Sequence, residues 1–215
     1  MRKPLGRLCL LAVCLFATPT FAQSLNGTAA GRPVRIVLLV DSSTAVAVML
    51  NQFRAGLNAF IDAAPEEAEI AFITTGGQIR IRTQPTSDRE KLHKAASGFA
   101  SDGGANAFLD TMLESDQRFL KKAPDRRPVF VILTSDDGSS RGEPRIDDYN
   151  KFMNDFLQRR GHAYGIVVRG SGIGPTSDIV SNLTRNTDGT YDVINTANSL
   201  PDKMKAIAAR IAIQP

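Results

Sequence analysis

Tryptophan is missing from the 215 residues, and cysteine and histidine occur only twice each. Both cysteines, Cys9 and Cys14, fall in an amino-terminal stretch laid out like a secretory signal peptide. Arg2, Lys3 and Arg7 come first, an apolar run from Leu8 to Ala17 follows, and Thr20-Phe21-Ala22 precedes Gln23. Cleavage after Ala22 leaves no thiol, so neither a disulfide framework nor a cysteine nucleophile is expected. His93 and His162 alone make no obvious zinc site. The leader is too short to span a bilayer and no second apolar segment appears, so no membrane span is expected. Leu11-Ala12-Val13-Cys14 is a poor lipoprotein cleavage site, because Val13 is bulky where a small residue is wanted. An excess of one charge sign is lacking too. The whole chain has 26 basic and 22 acidic residues, net +4, but the leader holds three of the basic ones and no acid, leaving 23 against 22. That balance implies no nucleic-acid partner. Internal repeats and low-complexity segments are also absent.

Removing 22 residues from 215 leaves 193, enough for one domain with a real core. Residues 23–33 are small and polar and read as a flexible arm, with ordered structure expected over 34–213. The organising stretch is Ile36 to Val40, five consecutive apolar residues that end at Asp41-Ser42-Ser43. Such a run predicts a strand buried on both faces, as at the centre of a parallel sheet. A second continuously apolar strand, Val129 to Leu133, ends at Thr134-Ser135-Asp136-Asp137-Gly138, and a third runs from Ala163 to Val168. Glu69 to Thr74 predicts a further strand. Gly76-Gly77 then turns the chain into Gln78 to Thr83, whose strict alternation marks an edge strand in a hairpin. A last short strand is expected over Gly189 to Val193. Between these, apolar residues recur at helical spacing: Val46 to Ile61, Leu92 to Phe99, Phe108 to Leu120, Tyr149 to Leu157, Ile179 to Leu183 and Leu200 to Ile211. The expectation is a doubly wound α/β domain, with a mostly parallel central sheet, one antiparallel edge strand and helices on both faces.

In open sheets of this kind, ligands sit beyond the carboxyl ends of the strands. Asp41 and Ser43 reach that place two residues apart, where their oxygens suit a hard divalent cation such as magnesium or manganese. The competing reading is structural: Asp41 accepts backbone N–H groups of the following helix, which stabilises by about 0.5 to 2 kcal/mol.

The order of elements, the strand ending Asp-x-Ser, the Gly103-Gly104 loop before a helix and the strand ending Thr-Ser-Asp-Asp-Gly together resemble a von Willebrand factor type A domain. The resemblance covers Val34 to about Ile213. It implies a metal-ion-dependent adhesion site built on Asp-x-Ser-x-Ser, a Thr from the Gly-rich loop and an Asp after the fourth strand. Asp41 and Ser43 match the first acid and hydroxyl, and Asp136 is the expected last acid, with Asp137 one residue away in register. Ala45 and Ala105 stand where a hydroxyl and the loop Thr belong. The site is therefore degenerate, and its expected ligands are Asp41, Ser43 and Asp136. The implied function is an exported module, periplasmic or extracellular, that binds a partner protein or mediates adhesion with at most weak cation dependence.

Catalysis is not expected. A haloacid-dehalogenase-like phosphatase is the alternative, but its general acid would stand at residue 43, which is Ser43. No Gly-x-Ser-x-Gly elbow surrounds Ser42 or Ser43. Gly170 to Gly174 departs from the spacing of a phosphate-binding loop and reads as a connection. Lys121, Lys122, Arg126 and Arg127 read as a solvated basic loop, and His93 as a residue facing water.

Overall fold

The computed structural model describes residues 32–136, 145–170 and 174–214. The predicted leader, the arm up to residue 31, Asp137 and residues 171–173 lie outside that set. Six strands form one sheet: β1 (Val34–Val40), β2 (Glu69–Thr74), β3 (Arg80–Thr86), β4 (Arg127–Asp136), β5 (His162–Arg169) and β6 (Tyr191–Ile194). Their order is β3-β2-β1-β4-β5-β6, and every neighbouring pair is parallel except β2 with β3. The chain winds outward from β1 in one direction, then returns to β4 and winds out in the other. The switch falls between β1 and β4, and it opens a crevice at their carboxyl ends.

Strand alternation explains why β1 is apolar throughout. Ile36, Leu38 and Val40 enter one core, packed with α1 (Leu50–Ala63), α2 (Arg89–Ser97) and α6 (Leu200–Ile213). Val37 and Leu39 enter the other, under α3 (Phe108–Ser115), α4 (Ile146–Gln158) and α5 (Pro175–Asn186). Each fully buried aliphatic or aromatic side chain contributes about 1.5 to 3 kcal/mol, and both layers are rich in phenylalanine. Phe53 stacks on Phe99 at 5.9 Å in the first, and Phe130 meets Phe156 at 5.6 Å in the second. Among the described residues, no helix is long and apolar enough to cross a membrane.

The structure adjusts the expected elements in three places. The helix expected from Val46 starts as a 3₁₀ turn over Thr44–Met49, in which the Val46 N–H bonds the Ser43 carbonyl, and becomes α-helical only at Leu50. The helix expected through Leu120 ends as a π turn over Asp116–Leu120. The edge strand runs on to Thr86 because β3 carries extra residues. Ile81 faces Ile73 and Thr83 faces Phe72, so Arg82 has no opposite number, and a second irregularity precedes Thr86. Bulges of this kind re-aim side chains.

Candidate functional site

Two carboxylates organise the carboxyl end of the sheet. Asp41 leaves β1 where the switch crevice opens, and it is buried. Its Oδ1 accepts the Ser43 N–H at 2.8 Å, and its Oδ2 accepts the Ser135 N–H at 3.1 Å together with the Ser135 hydroxyl. Its own N–H bonds the Leu133 carbonyl at 2.8 Å. The carboxylate therefore staples β1 to β4, and every donor on it is neutral. Its bond to Ser43 is a local turn and not a cap on the first helical N–H groups, because the 3₁₀ turn has no side-chain cap. Ser43 is buried as well, yet its hydroxyl meets no hydrogen-bond partner among the described residues.

Asp136, the third expected ligand, accepts the Gly174 N–H at 2.7 Å and so ties β4 to the start of α5. From β4 it is Ser135, one residue earlier, that bonds Asp41. Thr134 turns to the α3 side and accepts from Asn106 Nδ2 at 2.9 Å. Asn106 Oδ1 in turn accepts the Thr75 hydroxyl at 2.6 Å. Asn106 is thus a buried bridge between the ends of β2 and β4. The two alanines supply backbone or nothing: the Ala105 carbonyl accepts the Gly77 N–H at 2.8 Å. Thr44 is exposed and its hydroxyl leans on the Gly104 carbonyl at 3.4 Å.

The second carboxylate, Asp102, escaped the sequence reading. Its side chain is 7% exposed and holds a charged hub. The Arg82 guanidinium grips both of its oxygens, the Ser42 hydroxyl donates at 2.7 Å, the Thr74 hydroxyl donates at 3.0 Å, and Arg80 lies 3.5 Å away. Burial works against the charge, but the bonds from Ser42, Arg82 and Thr74 and the charge of Arg82 outweigh it, so the carboxyl stays below its ordinary range. Local geometry makes the hub feasible. Gly103 and Gly104 both take positive φ, 77° and 70°, which folds the loop back so that the Asp102 N–H reaches the Ser42 carbonyl at 2.7 Å. At Gly76 a Cβ would lie 2.4 Å from the Ser42 carbonyl oxygen, so only glycine fits there. The one trace in the sequence is a pair of arginines, Arg80 and Arg82, two apart on an edge strand and in need of a counter-charge, and it does not point to Asp102.

Both histidines and the basic run are structural. His93 does not simply face water: its Nδ1 lies 2.6 Å from Asn58 Oδ1 and its Nε2 3.0 Å from Asp62, joining α2 to α1. Burial lowers the His162 pKa, and its Nδ1 lies 2.9 Å from the Thr187 carbonyl. The expected solvated basic loop is largely engaged. Arg126 pairs with Glu69 at 3.0 Å, Lys121 with Asp155 at 3.1 Å, and the buried Arg127 donates to the Ile211 carbonyl.

Among the described residues, few side-chain oxygens stand open at the switch crevice. Asp41 Oδ2 already accepts two bonds, Ala45 and Ala105 bring no side-chain oxygen, and Asp136 is committed to Gly174. Among the described residues no group of three or more His, Cys, Asp or Glu is placed to hold a metal. Magnesium wants octahedral oxygen geometry, which Asp41 Oδ1 and the Ser43 hydroxyl alone do not supply.

No family model and no curated protein matches the sequence. Solved structures do match its fold. A von Willebrand factor type A protein from Catenulispora acidiphila superposes with a TM-score of 0.68 at 16% identity, over 82% of this chain and 42% of that one. This chain therefore spans less than half the length of that protein. The conserved hypothetical protein BatB from Bacteroides thetaiotaomicron gives 0.63 at 10% identity, over 84% of this chain and all (100%) of that one. Manganese-loaded TRAP protein from Plasmodium vivax gives 0.56 at 16% identity, over 81% and 74%. At these identities the likeness establishes the von Willebrand factor type A fold, with its Rossmann-like doubly wound sheet.

Proposed function

We propose that the protein is an exported binding module, periplasmic or extracellular, that engages another protein through the carboxyl-end face of its sheet without a resident cation. The observation that carries this reading is the Ser43 hydroxyl, buried just past the carboxyl end of β1 with no partner among the described residues. A buried polar group left unpaired costs about 1 to 3 kcal/mol, which a ligand supplying an acceptor recovers. Val48, in the 3₁₀ turn that follows Ser43 in the chain, is 88% exposed, an apolar side chain on the same connection as the unpaired polar one. That pairing suits a protein partner. The manganese in the Plasmodium TRAP structure belongs to that protein. Here a magnesium or manganese ion meets few side-chain oxygens around Asp41, Ser43 and Asp136, so binding by the free protein is weak and folding does not depend on it.

The test combines calorimetry with affinity capture from the exported fraction of the source organism. Titration with magnesium or manganese chloride is expected to show no tight site. The captured partner is expected to survive EDTA and to be lost with Val48→Glu. Micromolar cation binding, or capture that ignores Val48→Glu, would overturn the reading.

A further inference from the structure

We propose that the groove between β3 and α2 is a second docking surface, one that takes a carboxylate-rich segment of a partner protein. It is independent of the strand-end face and stands whether or not that face binds anything.

The groove has a volume of about 520 Å³ and is lined by Arg82, Pro85, Lys91, Lys94 and Ala95 among others, with no acidic residue among the described residues of its wall. β3 is the sheet edge, with β2 on one side and no strand on the other. Arg82 is neutralised by Asp102, but the two lysines are not comparably satisfied. Among the described residues Lys91 pairs only with Asp88, at 3.5 Å, with both side chains well exposed at 72% and 42%. Lys94 is exposed and pairs with no acid among the described residues. Exposed pairs of the Lys91 kind contribute little, so both ammonium groups are free to turn toward a ligand.

A second groove on the molecule shows that this imbalance is not the rule. The cleft between α3 and α4, about 620 Å³, mixes both signs and closes them on each other. Arg145 bonds Asp110 and Asp148, and Lys121 bonds Asp155. The β3–α2 groove keeps one sign uncompensated, and complementary charge is what such a surface selects.

The mode of contact follows from the edge itself. Arg82 is a bulged residue, and Pro85 has no N–H to give. Both features obstruct the addition of another strand, as guarded edges do. The partner segment therefore lies along the groove and is held by side chains. Its carboxylates meet Lys91 and Lys94, and its stem atoms pack on Pro85 and Ala95.

A fluorescein-labelled oligoglutamate peptide, followed by anisotropy on the purified protein, tests this. Saturable binding is expected, weakening as salt is raised. Lys91→Glu combined with Lys94→Glu is expected to weaken it about tenfold or more. Lys91→Gln with Lys94→Gln, which keeps good helix formers in α2, is expected to weaken it at least about threefold with the melting curve unchanged. Lys205→Glu, an exposed reversal on α6, and Val48→Glu are expected to leave it intact, so failure here and failure at the strand-end face are distinguishable. The proposal is overturned by absence of saturable binding, by equal losses with Lys205→Glu, or by indifference to the glutamine pair. It is equally overturned if oligothymidylate of matched charge binds as tightly, since that marks a general anion surface.

Discussion

Asp41 and Asp102 sit at the same end of the same sheet, and both accept from hydroxyl donors, yet among the described residues only one has a counter-charge. Asp102 is clamped by Arg82 and approached by Arg80, while among the described residues Asp41 is served by Ser43 and Ser135 alone. The charged hub closes on itself and leaves nothing for a ligand. The neutral staple leaves the Ser43 hydroxyl over. A buried ion pair is thus the structural element here, and the place with functional capacity is the one whose hydrogen bonding is incomplete.

Removing the counter-charged acid should do the most damage. Asp102→Ala strips Arg82, Ser42 and Thr74 of their acceptor and strands a half-buried guanidinium, at an expected cost of about 3 to 5 kcal/mol in urea denaturation. Asp41→Ala also leaves buried donors unmet, but it removes an unpaired charge at the same time, so the expected cost is nearer about 2 kcal/mol. If Asp41→Ala proves the more damaging, the roles assigned to the two clusters are reversed.

The fold was legible because its signals are redundant. Ile36 to Val40 and Val129 to Leu133 could only be strands covered on both faces, and the alternation of Ile79 and Ile81 with polar neighbours marked the edge. Asp41 was legible for the same kind of reason, standing at the end of the central strand. Asp102 was not, because its importance depends on an arginine twenty residues earlier whose direction is set by a bulge, and a bulge leaves no periodic trace. Ser135 was hidden by its neighbours: two adjacent acids drew attention, while strand alternation decided which residue meets Asp41. Asn106 was not legible because a residue just after a Gly-Gly turn gives no sign of where it points, and its pairing with Gly76 turns it inward.

Titration should separate the clusters at intermediate cost. The folded-state pKa of Asp102 lies below the ordinary 3.8, so its bonds stabilise fully above that value and the contribution is lost as pH falls through the depressed folded pKa. The stability gap between the native protein and Asp102→Asn should therefore be constant at neutral pH and close only in strong acid. Asp116, pushed up by burial despite Arg159, has the opposite sign: its ionised form is disfavoured in the folded state, so its contribution improves as pH falls. Because it is present in both proteins, it cancels in the comparison. A gap that closes above about pH 5 would show that the Arg82 clamp does not hold the charge as the geometry implies.

The smallest expected effect on stability is the most informative. The Ser43 hydroxyl is buried and makes no bond among the described residues, whereas its backbone N–H carries the contact to Asp41. Ser43→Ala keeps that N–H and deletes only an unmatched polar atom. Ordinary removal of a hydrogen-bonded buried hydroxyl costs about 1 kcal/mol, but here nothing is broken and a desolvation penalty is relieved. The denaturation midpoint should stay within about 0.5 kcal/mol of the native value or move toward greater stability. Ser42→Ala, one residue earlier, is the matched control. Its hydroxyl donates to Asp102 and accepts from Gly76, so losing it should cost about 1 to 2 kcal/mol. Partner capture should respond in the reverse order, falling with Ser43→Ala at unchanged stability and following stability alone with Ser42→Ala. Equal destabilisation by the two alanines would mean that the Ser43 hydroxyl has a structural partner, and the strand-end face would lose the feature that marks it as a binding surface.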